Sequence, residues 1–251
     1  MGSAGMNFEK QQADYRNSKP SWLGRGIERL TNPFGKAVAS VVPKSAVEAV
    51  LKGVDAAVGA PQLVKFDHDP TDIAAARTAS KKVSRAARGI SGTTGVAAGF
   101  GGLLTMSLDI PATIGIALRT IRDTGRAYGY AGDGPLEKLF RLQILELSAV
   151  DDPEIRADRI AALESAIGPD GELVESAHDS IVPAVDQAVE RVSRAIAFAS
   201  FRSRAGMIVP VVGSVVGGVV NSSFQGDVGE AARFAFQERR LRANRDGEPA
   251  V

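Results

Sequence analysis

The chain has no cysteine, and this absence excludes several kinds of chemistry. Without thiols there are no disulfides, no thiolate nucleophiles and no cysteine-based metal sites. We therefore expect a cytoplasmic location, with membrane association as an open alternative. Aromatic residues make up only 6% of the 251 residues. The core must therefore be built from alanine, valine, isoleucine and leucine, with much glycine.

The start of the chain also lacks the basic and then apolar pattern of a secretory signal, so we predict none. Residues 1–5 look like an artificial extension, and we exclude them from the fold. Prolines and glycines interrupt residues 1–35, which predicts an N-terminal arm. We expect a single helical domain over residues 36–245 and a short tail over residues 246–251.

Net charge is close to zero, at +1, but the charges are strongly segregated. Residues 73–122 contain seven lysines and arginines and one acid, which gives 7 − 1 = +6. Residues 151–190 contain two arginines and eleven acids, which gives 2 − 11 = −9. Residues 191–245 contain nine arginines and three acids, which gives 9 − 3 = +6. Basic segments therefore flank the apolar parts of the chain.

Apolar residues recur at helical spacing along most of the chain, and alternation typical of strands never persists. We predict a helix that begins at Asp69–Asp72 and ends near Arg88, because proline and carboxylates favour a helix start. A Gly-rich helix should follow and break at Asp109–Pro111. A second helix should then run to about Tyr128.

The second half of the chain also reads as helical. Asp151–Glu154 should cap a helix that ends near Ile167. A long helix is expected over residues 172–204, and a charged C-terminal helix over residues 227–243. The predicted fold class is all-α: a single multi-helix domain with two Gly-rich apolar helical hairpins at its core.

Two long segments carry almost no charge, residues 89–118 with Asp109 as their single charge and residues 205–225 with none. Each contains a G-x-x-x-G motif, which lets helix backbones approach closely; the glycines are Gly95 and Gly99, and Gly213 and Gly217. Close packing in a core, a lipid-contacting hairpin and a phosphate-binding loop are the three interpretations. The third has the least support, because neither a Walker loop nor a complete dinucleotide motif is present.

Several of these blocks resemble the EcsC protein family. The resemblance rests on the following segments: Gly92–Gly102, Asp109–Pro111, Leu118–Arg122, Arg126–Tyr130, Ile208–Asn221, Phe224 and Ala231–Phe236. It spans roughly residues 36–242, with both Gly-rich blocks in the expected order. It implies a helical protein, encoded in the founding case beside an ABC transporter, and it brings no catalytic residues with it.

Asp109 invites two interpretations. In the first it caps a helix, with Pro111 just inside the first turn. In the second it is a partly buried acid that lines a pocket with Arg119 or Arg122. Tyr128 and Asn221, which lie in the blocks that resemble the family, complete this set of candidate pocket residues.

A second set of candidate site residues is cationic. Four of its members share one helix face before the first uncharged segment, and four precede the second; they are Arg77, Lys81, Arg85 and Arg88, then Arg191, Arg194, Arg202 and Arg204. A solvated face, or pairing with the acidic segment, is one interpretation. The other is contact with anionic lipid headgroups, since basic side chains beside apolar segments favour membrane surfaces.

The leading hypothesis is a non-enzymatic protein that binds lipid or another apolar ligand and associates peripherally with anionic membranes. The alternatives are a protein-interaction accessory module, for instance of an ABC transporter, and an unrecognised hydrolase using Asp109. Two histidines and no recognisable ligand motif predict no metal site and no cofactor. Near-neutral charge without a reading helix or an aromatic platform predicts no nucleic-acid partner.

Overall fold

The structure is a computed structural model that describes residues 3–18, 50, 57, 59–100, 106–150, 152–174, 186–191 and 213–246. These residues are predominantly α-helical and contain no β-strand, apart from one isolated antiparallel bridge between Ile167 and Leu173. The predicted all-α fold class is therefore confirmed.

The helices with assigned bounds follow one another along the chain. They are α1 (Ser3–Arg16), α2 (Ile73–Phe100), α3 (Met106–Ala127), α4 (Pro135–Ala149), α5 (Pro153–Ser165) and α6 (Gly213–Asp246). The most extensive contact joins α2 to α6, and α3 and α4 also pack against α6. The longest helix thus lies at the centre of the described structure.

Two predicted helix starts are confirmed at the level of single hydrogen bonds. The Asp72 carboxylate accepts from the backbone N–H groups two and three residues further on, at 2.8 and 3.1 Å. The Asp152 carboxylate does the same at 2.9 and 3.1 Å, with Pro153 in the first helical position. In both cases the side chain satisfies donors that the first helical turn leaves open.

The prediction of a separate Gly-rich helix after Arg88 is wrong. Instead α2 continues through Gly89 to Phe100. Glycine disfavours a helix by only about 1 kcal/mol, and Ala87 and Ser91 on either side of it are fully buried. Packing on both sides therefore outweighs the glycine.

The predicted break at Asp109–Pro111 is also wrong. These residues lie inside α3, which begins at Met106, so Asp109 does not cap the helix. Pro111 is the sixth residue of α3, so its missing N–H removes a single helical hydrogen bond. The helix can therefore pass through Pro111.

Two boundaries in the second half differ from prediction as well. The C-terminal helix begins at Gly213 rather than Asp227, so an uncharged Gly-rich part and a charged part form one continuous helix, α6. Residues 172–174 are not helical. There the chain turns back, and the Glu172 carbonyl accepts from the Gly168 N–H at 2.7 Å.

Helices α2 and α6 run antiparallel, as two contacts along their shared surface show. The guanidinium of Arg77 donates to Gln237 at 3.0 Å near the start of α2 and towards the end of α6. Eleven residues further along α2, the Arg88 guanidinium lies against Gly226. Both G-x-x-x-G motifs therefore fall on the same antiparallel pair, in its uncharged half.

At Gly229, which is outside the predicted G-x-x-x-G motifs, α6 lies very close to α2. A β-carbon added at Gly229 would overlap the Ser84 side chain, with Ser84 Cβ only 2.9 Å away. Ser84 itself is buried, with 5% of its surface exposed. Because a serine side chain is short, it has little freedom to move away, and Gly229 is required by the contact.

The C-terminal half of α6 binds loops through its arginines. Arg239 is fully buried; its guanidinium donates to Glu137 at 2.8 Å and to the Gly171 carbonyl at 2.9 Å. It also lies over the Tyr130 ring, 3.8 Å from the ring centre. This side chain therefore joins α4, α6 and two loops through charge and cation–π contacts.

The first part of the predicted N-terminal arm is a helix that packs on α6. Tyr15 stacks on Phe234 with ring centres 4.5 Å apart, and Gln12 donates to the Phe234 carbonyl at 3.1 Å. Arg16 pairs with Glu164 on α5 at 2.7 Å. Helix α1 therefore belongs to the folded structure, whereas residues 19–49 lie outside the described residues.

Substitution of Gly229 tests the close approach of α2 and α6. Gly229→Ala should lower the free energy of unfolding by about 1–3 kcal/mol, because the new methyl group overlaps Ser84. The matched control is Gly89→Ala on α2, where nothing lies within 4 Å of the added carbon. It should raise stability by about 0.5–1 kcal/mol. Urea unfolding measures both, and equal stabilisation by the two alanines would contradict the close contact.

Removal of Arg239 tests the loop-binding role of α6. Arg239→Gln should destabilise the protein by about 3 kcal/mol, because Glu137 and the Gly171 carbonyl both lose their charged donor. Arg245→Gln is the control, since Arg245 is 61% exposed and meets Glu9 only at 3.8 Å. Chemical unfolding should show little change in the control, and a similarly small loss for Arg239→Gln would contradict this role.

Candidate functional site

A polar cluster lies in the contact between α2 and α6, beside the end of α3. Arg77 and Arg233 reach across from opposite helices: Arg77 donates to Gln237 at 3.0 Å, and Arg233 donates to the Ser84 hydroxyl at 2.9 Å. The Tyr128 hydroxyl lies 3.5 Å from the same Gln237 oxygen. We call these five residues the arginine cluster.

Positive charge is in excess in the arginine cluster. Burial lowers the pKa of Arg233, the charge of Glu230 raises it, and the nearby charges of Arg77 and Arg88 lower it. Among the described residues, the carboxylate in contact with Arg233 is Glu230, at 4.0 Å, and its side chain is 56% exposed. The described contacts and charges around Arg233 therefore comprise one solvated acid and two further guanidinium groups, those of Arg77 and Arg88.

Other buried arginines in the described structure meet carboxylates at much shorter range. Arg122 contacts Asp123, Arg141 contacts Asp133 and Arg239 contacts Glu137, each at 2.8 Å. Arg156 uses different partners, a backbone carbonyl and the ring of Tyr15. The fold therefore usually provides a buried arginine with a close acid or a ring, and the arginine cluster offers mainly neutral oxygens.

Tyr128 directly follows the end of α3, which places its side chain beside Gln237 in the cluster. Gly129 follows it with a φ of 88°, a left-handed conformation that favours glycine. This turn exposes the Tyr128 carbonyl, which accepts from the Arg240 Nε at 3.1 Å. The Tyr128 side chain is fully buried, and burial raises the pKa of its hydroxyl to about 12. It is therefore a neutral hydrogen-bonding group at physiological pH.

The exposed surface of α2 carries a second group of cations. Helix α2 contains five lysines and arginines and no acid. Four of these side chains are exposed, and we call them the α2 cationic face: Lys81, Lys82, Arg85 and Arg88. Arg77 is half-buried and turns towards α6, so the predicted stripe divides between the surface and the arginine cluster.

Arg119 and Arg122, the predicted partners of Asp109, bind the segment that precedes α2. Arg119 donates to the Pro61 carbonyl at 2.7 Å, and Arg122 donates to the same carbonyl at 3.2 Å and to that of Ala57. The backbone N–H of Leu63 donates to Asp123 at 2.7 Å. These contacts explain the two arginines structurally, as anchors of residues 57–63.

The remaining candidates fall partly outside the described side chains. Asp109 and Asn221 have helical backbones in α3 and α6, as do the four motif glycines, but their surroundings are not described. Arg191 pairs with the buried Glu146 at 3.2 Å. Arg194, Arg202 and Arg204 lie outside the described residues.

The sequence did not single out Arg233 and Gln237, and one signal could have done so. Gly226, Gly229 and Arg233 follow at i, i+3 and i+7 along α6, which places them on one face. Two glycines that precede an arginine on that face indicate a close helix contact that ends in a buried charge. The G-x-x-x-G pattern used for prediction does not include this spacing.

The two histidines were not expected to form a metal site. His68 makes a hydrogen bond to the Ala127 carbonyl at 2.8 Å and lies edge-on to Phe66. Among the residues that the structure describes, no three histidine or acidic side chains come together at metal-ligand distances. The contacts of His68 therefore join the segment before α2 to the end of α3.

Tyr128 predicts a defined loss of stability at high pH. Its pKa lies near 10.0 in the unfolded chain and near 12 in the folded protein, so the unfolded state ionises first. Its contribution is complete below pH 10 and is lost between pH 10 and 12, by at most about 3 kcal/mol. Tyr128→Phe should flatten the pH profile of urea unfolding over this interval. Tyr15 and Tyr130, whose pKa values burial also raises, serve as the common background in both proteins. Identical slopes would contradict the burial of Tyr128.

Comparison with known proteins places this sequence in a family. The model of the EcsC protein family matches residues 7–241, so the match begins in α1 and includes the arginine cluster. Protein EcsC of Bacillus subtilis (strain 168) is 23% identical over 226 residues, which are 89% of each chain. Uncharacterized protein YdbA of the same organism is 28% identical over 157 residues; the match covers 59% of this chain and about half, 51%, of that protein. No solved structure matches. With most of its length covered by the family model, the chain belongs to the EcsC protein family.

Proposed function

We propose that this chain is a non-enzymatic helical protein that binds anionic membrane surfaces peripherally through the α2 cationic face. The carrying observation is the charge pattern of α2, which has five cations, no acid and four exposed basic side chains. An ordinary solvated helix mixes both signs, because like charges one turn apart repel. A surface of one sign favours an anionic partner.

The position of this surface on α2 supports a lipid partner. Beyond Arg88 the helix continues for twelve residues without a charge, to Phe100. Ile90, at the junction, is 38% exposed. Cations followed by an apolar stretch match the order of headgroup and acyl layers at a membrane surface.

A peripheral rather than a spanning arrangement fits the described helices. None of them contains a stretch long and apolar enough to cross a bilayer. Glycine, alanine, serine and threonine dominate residues 89–100, and they insert less readily than leucine or phenylalanine. Binding would therefore combine charge attraction with shallow burial of apolar side chains.

The two alternative hypotheses have weaker support. The hydrolase hypothesis uses Asp109 with Arg119 or a nearby serine, and the Arg119 guanidinium is engaged by the Pro61 carbonyl. The accessory-module hypothesis has no specific contact or surface in its favour among the described residues. It stays a prediction, and a membrane-binding assay separates it from the proposed function.

Neutralising three of the four cations of the α2 cationic face should strongly weaken membrane binding. We expect the triple variant Lys81→Gln, Lys82→Gln, Arg85→Gln to bind vesicles rich in phosphatidylserine roughly 100-fold more weakly, at about 1 kcal/mol per basic residue. Flotation at low salt measures the partition coefficient. Binding of the unaltered protein should also weaken at high salt, because ions screen exposed charges.

A matched triple variant controls for net charge. Lys10→Gln, Lys65→Gln and Lys138→Gln remove three exposed lysines elsewhere. Both triple variants shift the net charge from +1 to +1 − 3 = −2. The control should float almost as well as the unaltered protein. Equal losses in the two triple variants, or no flotation of the unaltered protein with anionic vesicles, would refute the proposal.

A further inference from the structure

We propose that the arginine cluster is a phosphate-binding site, in which Arg77 of α2 and Arg233 of α6 hold a phosphate group between the two helices. The site goes beyond the charged surface described above, because it is built from half-buried side chains with fixed partners. Its ligand class is a phosphate dianion, either free or as a phosphomonoester.

The donors of the site are oriented by the fold. Arg77 and Arg233 each use one terminal nitrogen on a neutral oxygen, that of Gln237 and that of Ser84. Each contact restricts the orientation of a guanidinium group and leaves further N–H groups of that side chain for a ligand. Two guanidinium forks from facing helices match the tetrahedral oxygens of a phosphate.

The charge balance of the site calls for a further anion. Arg77, Arg88 and Arg233 bring three positive charges, and Glu230 brings one negative charge at 4.0 Å from Arg233. Repulsion between partly buried like charges is stronger than at the surface, since water screens it less. A bound phosphate dianion would offset the two positive charges of Arg77 and Arg233.

Access to the site lies along the edge of the α2–α6 contact. Arg88 and Glu230 are exposed, whereas Arg77 and Arg233 are half-buried behind them. Arg77 and Arg88 are about 16 Å apart along α2, at 1.5 Å per residue. Arg88 therefore adds to the attracting field at the rim, while Arg77 and Arg233 make the direct contacts.

The phosphate could come from two sources with the same chemistry. Arg88, at the rim of the site, also belongs to the α2 cationic face, so a lipid phosphomonoester headgroup could reach the site at a membrane surface. This source rests on the proposed function. A free phosphate compound could enter the same opening from water, and this source does not depend on membrane binding.

The first experiment uses inorganic phosphate and the full chain. Isothermal titration at neutral pH should show saturable binding of phosphate, against sodium chloride at matched ionic strength as the blank. Arg77→Gln and Arg233→Gln should each weaken binding by about tenfold or more, the effect of removing a charged hydrogen-bond donor. Arg88→Gln should weaken it less. Arg233→Lys keeps the positive charge but not the planar guanidinium group, so its phosphate affinity should lie between those of the unaltered protein and Arg233→Gln.

Control variants separate the site from the surface and from misfolding. Lys138→Gln, at an exposed lysine on α4, should leave phosphate affinity unchanged. Urea unfolding of Arg77→Gln and Arg233→Gln shows whether each remains folded, and removing a repelling charge should not destabilise the chain. Saturable binding that both arginine variants lose and Lys138→Gln keeps would support the site.

Vesicles then distinguish the two sources of phosphate. The comparison is between vesicles with phosphatidic acid and vesicles with phosphatidylserine, adjusted to equal surface charge. A preference for phosphatidic acid that Arg77→Gln abolishes identifies the headgroup. Phosphate binding without that preference identifies a free compound.

Two results would overturn the inference. One is the absence of phosphate binding beyond the chloride blank, and the other is binding that survives both Arg77→Gln and Arg233→Gln. Failure of the membrane proposal looks different, since flotation is then absent while phosphate titration is unaffected. The two proposals can therefore fail independently.

Discussion

The close antiparallel contact between α2 and α6 is the constraint on which the described structure depends. Gly229 leaves room for Ser84, and Gly226 leaves room for the Arg88 side chain. A larger residue at Gly229 would separate the helices along their shared surface, because core packing tolerates little added volume. Helices α1, α3 and α4 then pack on α6, so their positions follow from that of the central pair.

Arginines on α6 differ in what they do because their partners differ. Arg239 and Arg242 lie near glutamates and loop carbonyls, and they hold α4, α5 and the intervening turns to the central helix. Arg233, two turns earlier, faces the arginines of α2 instead. A shortage of nearby acid, rather than burial alone, distinguishes the proposed phosphate site from the structural contacts.

The α2 cationic face and the arginine cluster are both positively charged, and both lie on the α2–α6 pair. Lys81 and Arg85 face solvent, while Arg77 turns inward only one helical turn from Lys81. An anion attracted by the outer cations would therefore arrive close to the inner ones, where two helices supply fixed donors. This arrangement would place non-specific attraction and specific recognition of an anion along the same stretch of α2, about 16 Å long.

The sequence by itself determined the fold class, the family resemblance and the helix starts at Asp72 and Asp152, because each depends on periodicity, motif order or a local capping bond. It missed the continuity of α2 through Gly89, since local propensity cannot register the packing of Ala87 and Ser91 that outweighs the glycine. It also missed the continuity of α3 through Pro111, where the loss of one hydrogen bond does not end the helix. It marked Arg77 and Arg88 as charged positions, but which arginines meet an acid is settled by distant parts of the chain. Only the tertiary structure could bring Arg77 and Arg233 together, because 156 positions separate them along the chain (233 − 77 = 156).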